Sequence, residues 1–258
     1  MAEPAVRTID LNADLGEGYG PWVIGDDRAM LDIVTSANLA CGGHASDPET
    51  MFRTLNWARE RGITVGAHPS YPDKEGFGRR RLPFPPPEVE RFVAAQIGAL
   101  AAIAALAGTR VRYVKPHGAL ANVASEDRPV AEAIVRAVRA VDGSLAMLAI
   151  SGTVLELAAR EAGMAVYSEV FADRGYTPAG NLVPRGQPGA MIEDYGAAAA
   201  RLLRYLETGL MPTVGGQPVT LASHSICVHG DNPNAIVMAR AIRVALAGRG
   251  TQIAPFLP

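Results

Sequence analysis

The 258-residue chain has only two cysteines, Cys41 and Cys227. Two thiols build no disulfide framework and fit a reducing compartment, so a cytoplasmic protein is expected. Basic runs are also scarce: none exceeds Arg79-Arg80-Arg81, and the formal net charge is −2. Neither nucleic acid nor an anionic membrane is therefore expected as a partner. The opening Met-Ala-Glu-Pro has no basic stretch followed by an apolar one, so no leader is expected. No apolar run is expected to reach the ~18 residues of a membrane span. There is no Gly-x-x-x-x-Gly-Lys-Ser/Thr loop, and Gly16-Glu-Gly-Tyr-Gly20 lacks the third in-register glycine of a dinucleotide loop. Any nucleotide must be held by another route. No repeat, low-complexity tract or linker divides the chain, and one domain over 1–258 is expected.

What is present follows one grammar. Seven short β-like runs fall at 6–12, 33–39, 63–67, 111–115, 144–150, 164–171 and 225–229. Helical patterns lie between most of them. Asp47-Pro48 and Gly62 bracket a helix over 48–61, and apolar spacing from Val89 predicts another that stops at Gly108. Further helices are expected near 127–141, 152–162, 190–207 and 233–247, with Ser151 and Asn232-Pro233 as starts for two of them. Alternating strands and helices predict a parallel sheet with helices outside. Seven units suit a closed or nearly closed barrel; an open doubly wound sheet is the rival. Segments 69–88 and 172–189, rich in Gly, Pro, Arg and Asp, read as functional loops over the strand ends.

The β-runs end in polar residues. His44, His68, His117 and His229 each open a Gly/Pro-rich turn, and Asp14 and Glu17 do the same after the first run. Enzymes of α/β type load their sites at such strand ends. Asp10, Asn12 and Asp14 share one strand face, which is either a structural hydrogen-bond network or the wall of a site. Lys115 suits a phosphate or a developing oxyanion, and His117 suits proton transfer. Glu169 is a candidate general base or a partner for Lys115. His229 and Asp231 share parity before a helix start. Arg79, Arg80, Arg81 and Arg185 sit in the long loops, where an arginine can clamp an anion; Arg174 follows the sixth run. Asp14, His44 and His68 have the residue types of a metal site, without the fixed spacing of a metal motif. Cys41 and Cys227 read as buried, inert thiols.

Several longer segments add to this reading: Leu11-Asn-Ala-Asp-Leu-Gly-Glu-Gly, Ser36-Ala-Asn-Leu-Ala-Cys-Gly-Gly-His-Ala-Ser-Asp-Pro48, Gly66-Ala-His-Pro-Ser-Tyr-Pro-Asp73, Gly76-Phe-Gly-Arg-Arg80, Val114-Lys-Pro-His-Gly-Ala-Leu120, Glu169-Val-Phe-Ala-Asp-Arg-Gly-Tyr176 and Val228-His-Gly-Asp-Asn232. Over nearly the whole chain they resemble the LamB/YcsF family. The resemblance implies a distorted, seven-stranded parallel β/α (TIM-like) barrel of the glycoside hydrolase/deacetylase type. It implies conversion of 5-oxo-L-proline to L-glutamate with hydrolysis of ATP, used with Mg²⁺, and two partner subunits, B and C; a homo-oligomer is left open. It assigns no residue roles. From the residue chemistry, Asp14, Lys115, His117 and Glu169 are the expected catalytic groups. Asn12, Glu17, Asn38, His44, His68, Arg79, Arg174, His229 and Asp231 are the expected substrate or phosphate contacts. The rival readings are a metal-dependent deacetylase or amidohydrolase on a similar barrel, and a non-catalytic 5-oxoproline-binding subunit.

Overall fold

The computed structural model describes residues 8–228 and 234–257. In chain order the first half comprises β1 (Thr8–Leu15), α1 (Asp27–Leu31), β2 (Ser36–Ala40), α2 (Pro48–Glu60), β3 (Thr64–His68), α3 (Pro86–Leu106), β4 (Tyr113–Val114), α4 (Gly118–Ala124) and α5 (Arg128–Val141). The second half comprises β5 (Ala146–Ile150), α6 (Val154–Glu161), β6 (Val166–Phe171), α7 (Tyr195–Thr208), β7 (Leu210–Met211), β8 (Val219–Thr220), β9 (Ser225–Cys227), α8 (Ala235–Ala247) and β10 (Gln252–Ile253).

Strands β1, β2, β3, β4, β5, β6 and β9 form a parallel ring, closed where Asp10, Leu11 and Asn12 pair with Ser225, Ile226 and Cys227. Closure decides for the barrel over the open sheet. β10 extends the same edge of β1 lower down, opposite Thr8 and Ile9. β7 and β8 form a separate antiparallel pair.

The period-2 alternation of a strand sorts its side chains. On β1, Leu11, Ala13 and Leu15 join the buried apolar layer under the helices, while Asp10, Asn12 and Asp14 make polar contacts across the lumen. The lumen floor is apolar. Tyr113, Ala146 and Leu148 pack there with Tyr167, Phe256 and Leu257. Phe256 closes the floor at 5.0 Å from the Tyr113 ring and 4.8 Å from that of Tyr167. Tyr113 lies across the backbone of Gly66, where a Cβ would sit 2.2 Å from the ring, so only glycine fits.

Some boundaries differ from the sequence expectation. α7 starts at Tyr195 because the Asp194 side chain caps it, accepting from the Ala197 N–H. Residues before it continue the loop, with Ile192 N–H bonded to the Asp173 carbonyl. Thr153, not Ser151, caps α6; the Ser151 hydroxyl instead accepts the Ala222 N–H. The short α1 and α4 carry no long apolar period and were not expected. Asn232-Pro233 lies outside the described residues. Contrary to the expectation of no long apolar run, α3 is by length and composition apolar enough to cross a membrane. Here it is a barrel helix, burying Val89, Val93, Ile97, Leu100 and Ala104 as one stripe.

Candidate active site

Polar side chains fill the lumen in layers that rise to the C-terminal strand ends. Lowest, Asp10 accepts from the hydroxyls of Ser36, Thr35 and Ser225. Burial pushes its carboxyl up to about 6 despite those bonds. Above it, Asn12 donates to Glu169 Oε1 (2.9 Å) and to Ser225 (2.6 Å), and accepts from Asn38 (2.6 Å). Tyr113 donates to Asn38 at 2.7 Å.

Lys115 occupies the next layer. Its Nζ lies 3.0 Å from Asp14 Oδ1 and 2.9 Å from Glu169 Oε1, with Asn12 Oδ1 at 3.3 Å and Cys227 Sγ at 3.1 Å. Burial opposes the charge, but the Asp14 and Glu169 carboxylates outweigh it and hold the ammonium well above its ordinary range. Glu169 is pushed upward by burial, with Lys115 opposing. Its Oε2 is buried without a hydrogen-bond partner among the described residues.

Beside the ammonium stand the histidines. His68 Nδ1 meets the Lys115 carbonyl at 2.6 Å, and His117 Nε2 meets the Phe77 carbonyl at 3.0 Å. A carbonyl only accepts, so both ring nitrogens carry the hydrogen. In the neutral rings the opposite nitrogens, His68 Nε2 and His117 Nδ1, are the ones that bear lone pairs, and they face each other at 3.1 Å. Asp14 Oδ2 is 3.3 Å from His68 Nε2, and Glu17 Oε1 is 3.6 Å from His117 Nδ1. His44 stacks on His117 with centroids 3.7 Å apart and reaches Glu17 Oε1 through Nε2 at 3.0 Å. Burial drives His44 down to about 3, so it is neutral at pH 7 and donates that hydrogen to Glu17. Burial, then His44 and His68, depress His117 well below the usual range.

The β3–α3 loop locks this cluster. Gln96 of α3 accepts the Ser70 N–H and donates to its carbonyl, at 3.0 and 2.8 Å. Asp73 holds the Arg80 guanidinium through its two carboxylate oxygens. Gly78 has φ +64°, and a Cβ there would sit 2.2 Å from Ser70 Oγ and 2.9 Å from the His117 ring. The backbone therefore lies directly on the histidines.

A cavity of about 340 Å³ opens above, lined by Asp14, His68, Lys115, His117, Glu169 and Arg79, with Arg174 and Arg185 at its side. The structure thus brings Asp14, Glu17, His44, His68, Lys115, His117 and Glu169 together, and sets Arg79 and Arg174 on the cavity wall. His229 and Asp231 lie outside the described residues. Two placements correct the sequence reading. Asn12 and Asn38, expected as ligand contacts, sit below the cavity with their side chains committed to neighbouring groups. His44, expected among metal ligands with Asp14 and His68, instead contacts Glu17; among the described residues, the group whose ligand atoms all lie within 4.8 Å of one another is Asp14, Glu17, His68 and His117. Cys227 is buried as expected, packed with Ile150 and Phe171 and with its thiol pushed well up by burial, and its Sγ also lies 3.1 Å from Lys115 Nζ. Its parity with Ser225 on a lumen-facing strand was the available signal. Cys41 is buried as expected, its thiol pushed up to about 12 by burial. Arg174 spends Nε and one Nη on the carbonyls of Ala190 and Val183.

The chain has close relatives. The LamB/YcsF family model matches residues 9–258. The 5-oxoprolinase A subunit of Azorhizobium caulinodans is 51% identical over 251 residues, covering 97% of this chain and 99% of that protein. That of Gluconobacter oxydans is 51% identical over 247 residues, covering 96% and 97%. The crystal structure of the lactam utilization protein from Thermus thermophilus superposes with a TM-score of 0.90 at 43% identity, covering 96% and 99%. A barrel of this kind, matched end to end by that family, leaves one conclusion: the chain belongs to the LamB/YcsF family.

Proposed function

We propose that this chain is the lactam-opening A subunit of an ATP-dependent 5-oxoprolinase. It converts 5-oxo-L-proline to L-glutamate with hydrolysis of ATP to ADP and phosphate, working with subunits B and C in the cytoplasm. Similarity along nearly the whole chain to 5-oxoprolinase A subunits carries this reading.

The site's chemistry supports it. A five-membered lactam recloses readily because its amine and carboxyl stay held together. Opening it at neutral pH therefore needs an activated carbonyl. ATP, when bound with Mg²⁺, supplies a phosphoryl group for that activation. The residues present suit such an anion: Arg79, Arg81 and Arg174 line an outer groove of about 820 Å³ that shares Arg79 and Arg174 with the inner cavity. Lys115 Nζ donates to the lactam oxygen and balances the negative charge growing on it. Glu169 Oε2 accepts the lactam N–H. The lone pairs of Asp14, Glu17, His68 and His117 form a basic wall toward which the attacking water gives up its proton.

The deciding experiment measures glutamate and ADP from 5-oxoproline, ATP and Mg²⁺, with the chain alone and with B and C added. Robust formation is expected only in the complex. Equal turnover by the isolated chain would overturn the partner assignment. An inert complex, with metal-stimulated and ATP-independent deacetylation of a sugar amide by the chain alone, would favour the deacetylase reading. Retained turnover in a complex carrying Lys115→Ala would leave the chain a binding subunit.

A further inference from the structure

Above Lys115, Asp14, Glu17, His68 and His117 each bring one metal-binding atom, and these atoms all lie within 4.8 Å of one another. His68 and His117 have each committed their N–H to a backbone carbonyl. Their opposite nitrogens, bare when the rings are neutral, stand 3.1 Å apart. Asp14 Oδ2 and Glu17 Oε1, which also only accept when ionised, complete the group at 3.3 and 3.6 Å. With both rings neutral, two imidazole lone pairs and two carboxylate oxygens converge in a buried space, a donor set that a divalent cation binds. The spacing fits such an ion. Ligands ~2.0–2.1 Å from a tetrahedral centre lie roughly 3.3–3.4 Å from one another, and the three distances bracket that value.

The geometry points to a divalent transition-metal site with Asp14 Oδ2, Glu17 Oε1, His68 Nε2 and His117 Nδ1 as ligands. The surroundings are those of a built site. The carbonyls of Lys115 and Phe77 fix both imidazole tautomers, His44 holds Glu17, and Lys115 and Asn38 hold the other oxygen of Asp14. Such outer partners orient ligands in metal centres. Two imidazoles with two carboxylates suit Zn²⁺, Co²⁺ or Mn²⁺ better than an all-oxygen ion such as Ca²⁺. This assignment rests on the chain's own geometry. Its use in lactam opening, where a bound ion would lower the pKa of an attacking water, rests on the proposed function.

The test needs no turnover. The purified chain is stripped with chelator, dialysed, and titrated with Zn²⁺ and with Co²⁺. Metal content is read by mass spectrometry and Co²⁺ geometry by visible absorption. About one ion per chain and an intense tetrahedral Co²⁺ band are expected. His68→Gln and His117→Gln should each lower affinity at least ~10-fold, on the scale that disturbing even an outer partner produces. The remote His224→Gln should retain full occupancy. A folded wild-type chain that takes up neither ion at tens of micromolar would overturn the proposal. So would occupancy unchanged in a His68→Gln/His117→Gln double variant. Because the wild-type spectrum is itself decisive, misfolding of a variant does not rescue the idea. A metal-loaded complex inert toward 5-oxoproline would count against the lactam reading and leave the ion site standing.

Discussion

Replacing Lys115 with methionine removes the ammonium that touches both Asp14 and Glu169 while roughly keeping the side chain's length. In the native lumen that ammonium is 3.0 Å from one carboxylate and 2.9 Å from the other, and all three side chains are nearly inaccessible. Breaking a buried ion pair by removing one partner costs about 3–5 kcal/mol, because the remaining charge is left uncompensated. At about 2–4 °C per kcal/mol for a domain near this size, the melting temperature should fall by about 6–20 °C at pH 8. The deficit should depend on pH. Burial already raises the Glu169 carboxyl in the folded state, and Lys115 is the largest influence opposing that rise. A group whose folded pKa is raised contributes stability below its unfolded pKa and loses it as pH climbs through the folded value. Without Lys115 the folded value moves higher, so the loss deepens over a wider window. Differential scanning calorimetry of wild type and Lys115→Met from pH 5 to 8 should show a gap that widens with pH. A variant melting within about 2 °C of wild type at pH 8, less than the smallest shift expected for the broken pair, or a gap constant with pH, refutes the reasoning.

Three further outcomes are expected. His117→Ala should lower turnover of the assembled complex by at least ~10²-fold while circular dichroism stays native; wild-type turnover would remove His117 from the chemistry. His44, driven down to about 3 by burial, should keep the ring shifts of a neutral imidazole in NMR spectra down to pH 5; a midpoint at the ordinary histidine value of about 6.5 would contradict the dominance of burial at this ring. Gly78→Ala should destabilise by about 1–3 kcal/mol in a urea titration and lower activity, since its φ of +64° and the adjacent Ser70 and His117 leave no room for a Cβ; a silent substitution would mean that the loop does not lie on the histidines as described.

The strands were legible because each is short, apolar on one parity and punctuated. All seven barrel strands overlap the runs read from the sequence, and the parity of Asp10, Asn12 and Asp14 already set them on one face. The strand-end position of His68 and the close spacing of Lys115 and His117 followed from the same pattern. What no local pattern carries is the partner of each group. Ring closure depends on β1 meeting β9, strands from opposite ends of the chain, so an open sheet stayed compatible with the sequence. Which ring nitrogen donates depends on backbone carbonyls: those of Lys115 and Phe77 meet Nδ1 of His68 and Nε2 of His117, and a carbonyl has no side-chain signature. Cys227 gained its contact with Lys115, at 3.1 Å, and His44 its contact with Glu17, at 3.0 Å, only once the fold brought those residues together across the lumen. The sequence by itself determined which residue types ring the barrel mouth, since strand alternation is a property of neighbouring residues. Tertiary structure alone decided which lone pairs converge, because that depends on distances between segments the chain keeps far apart.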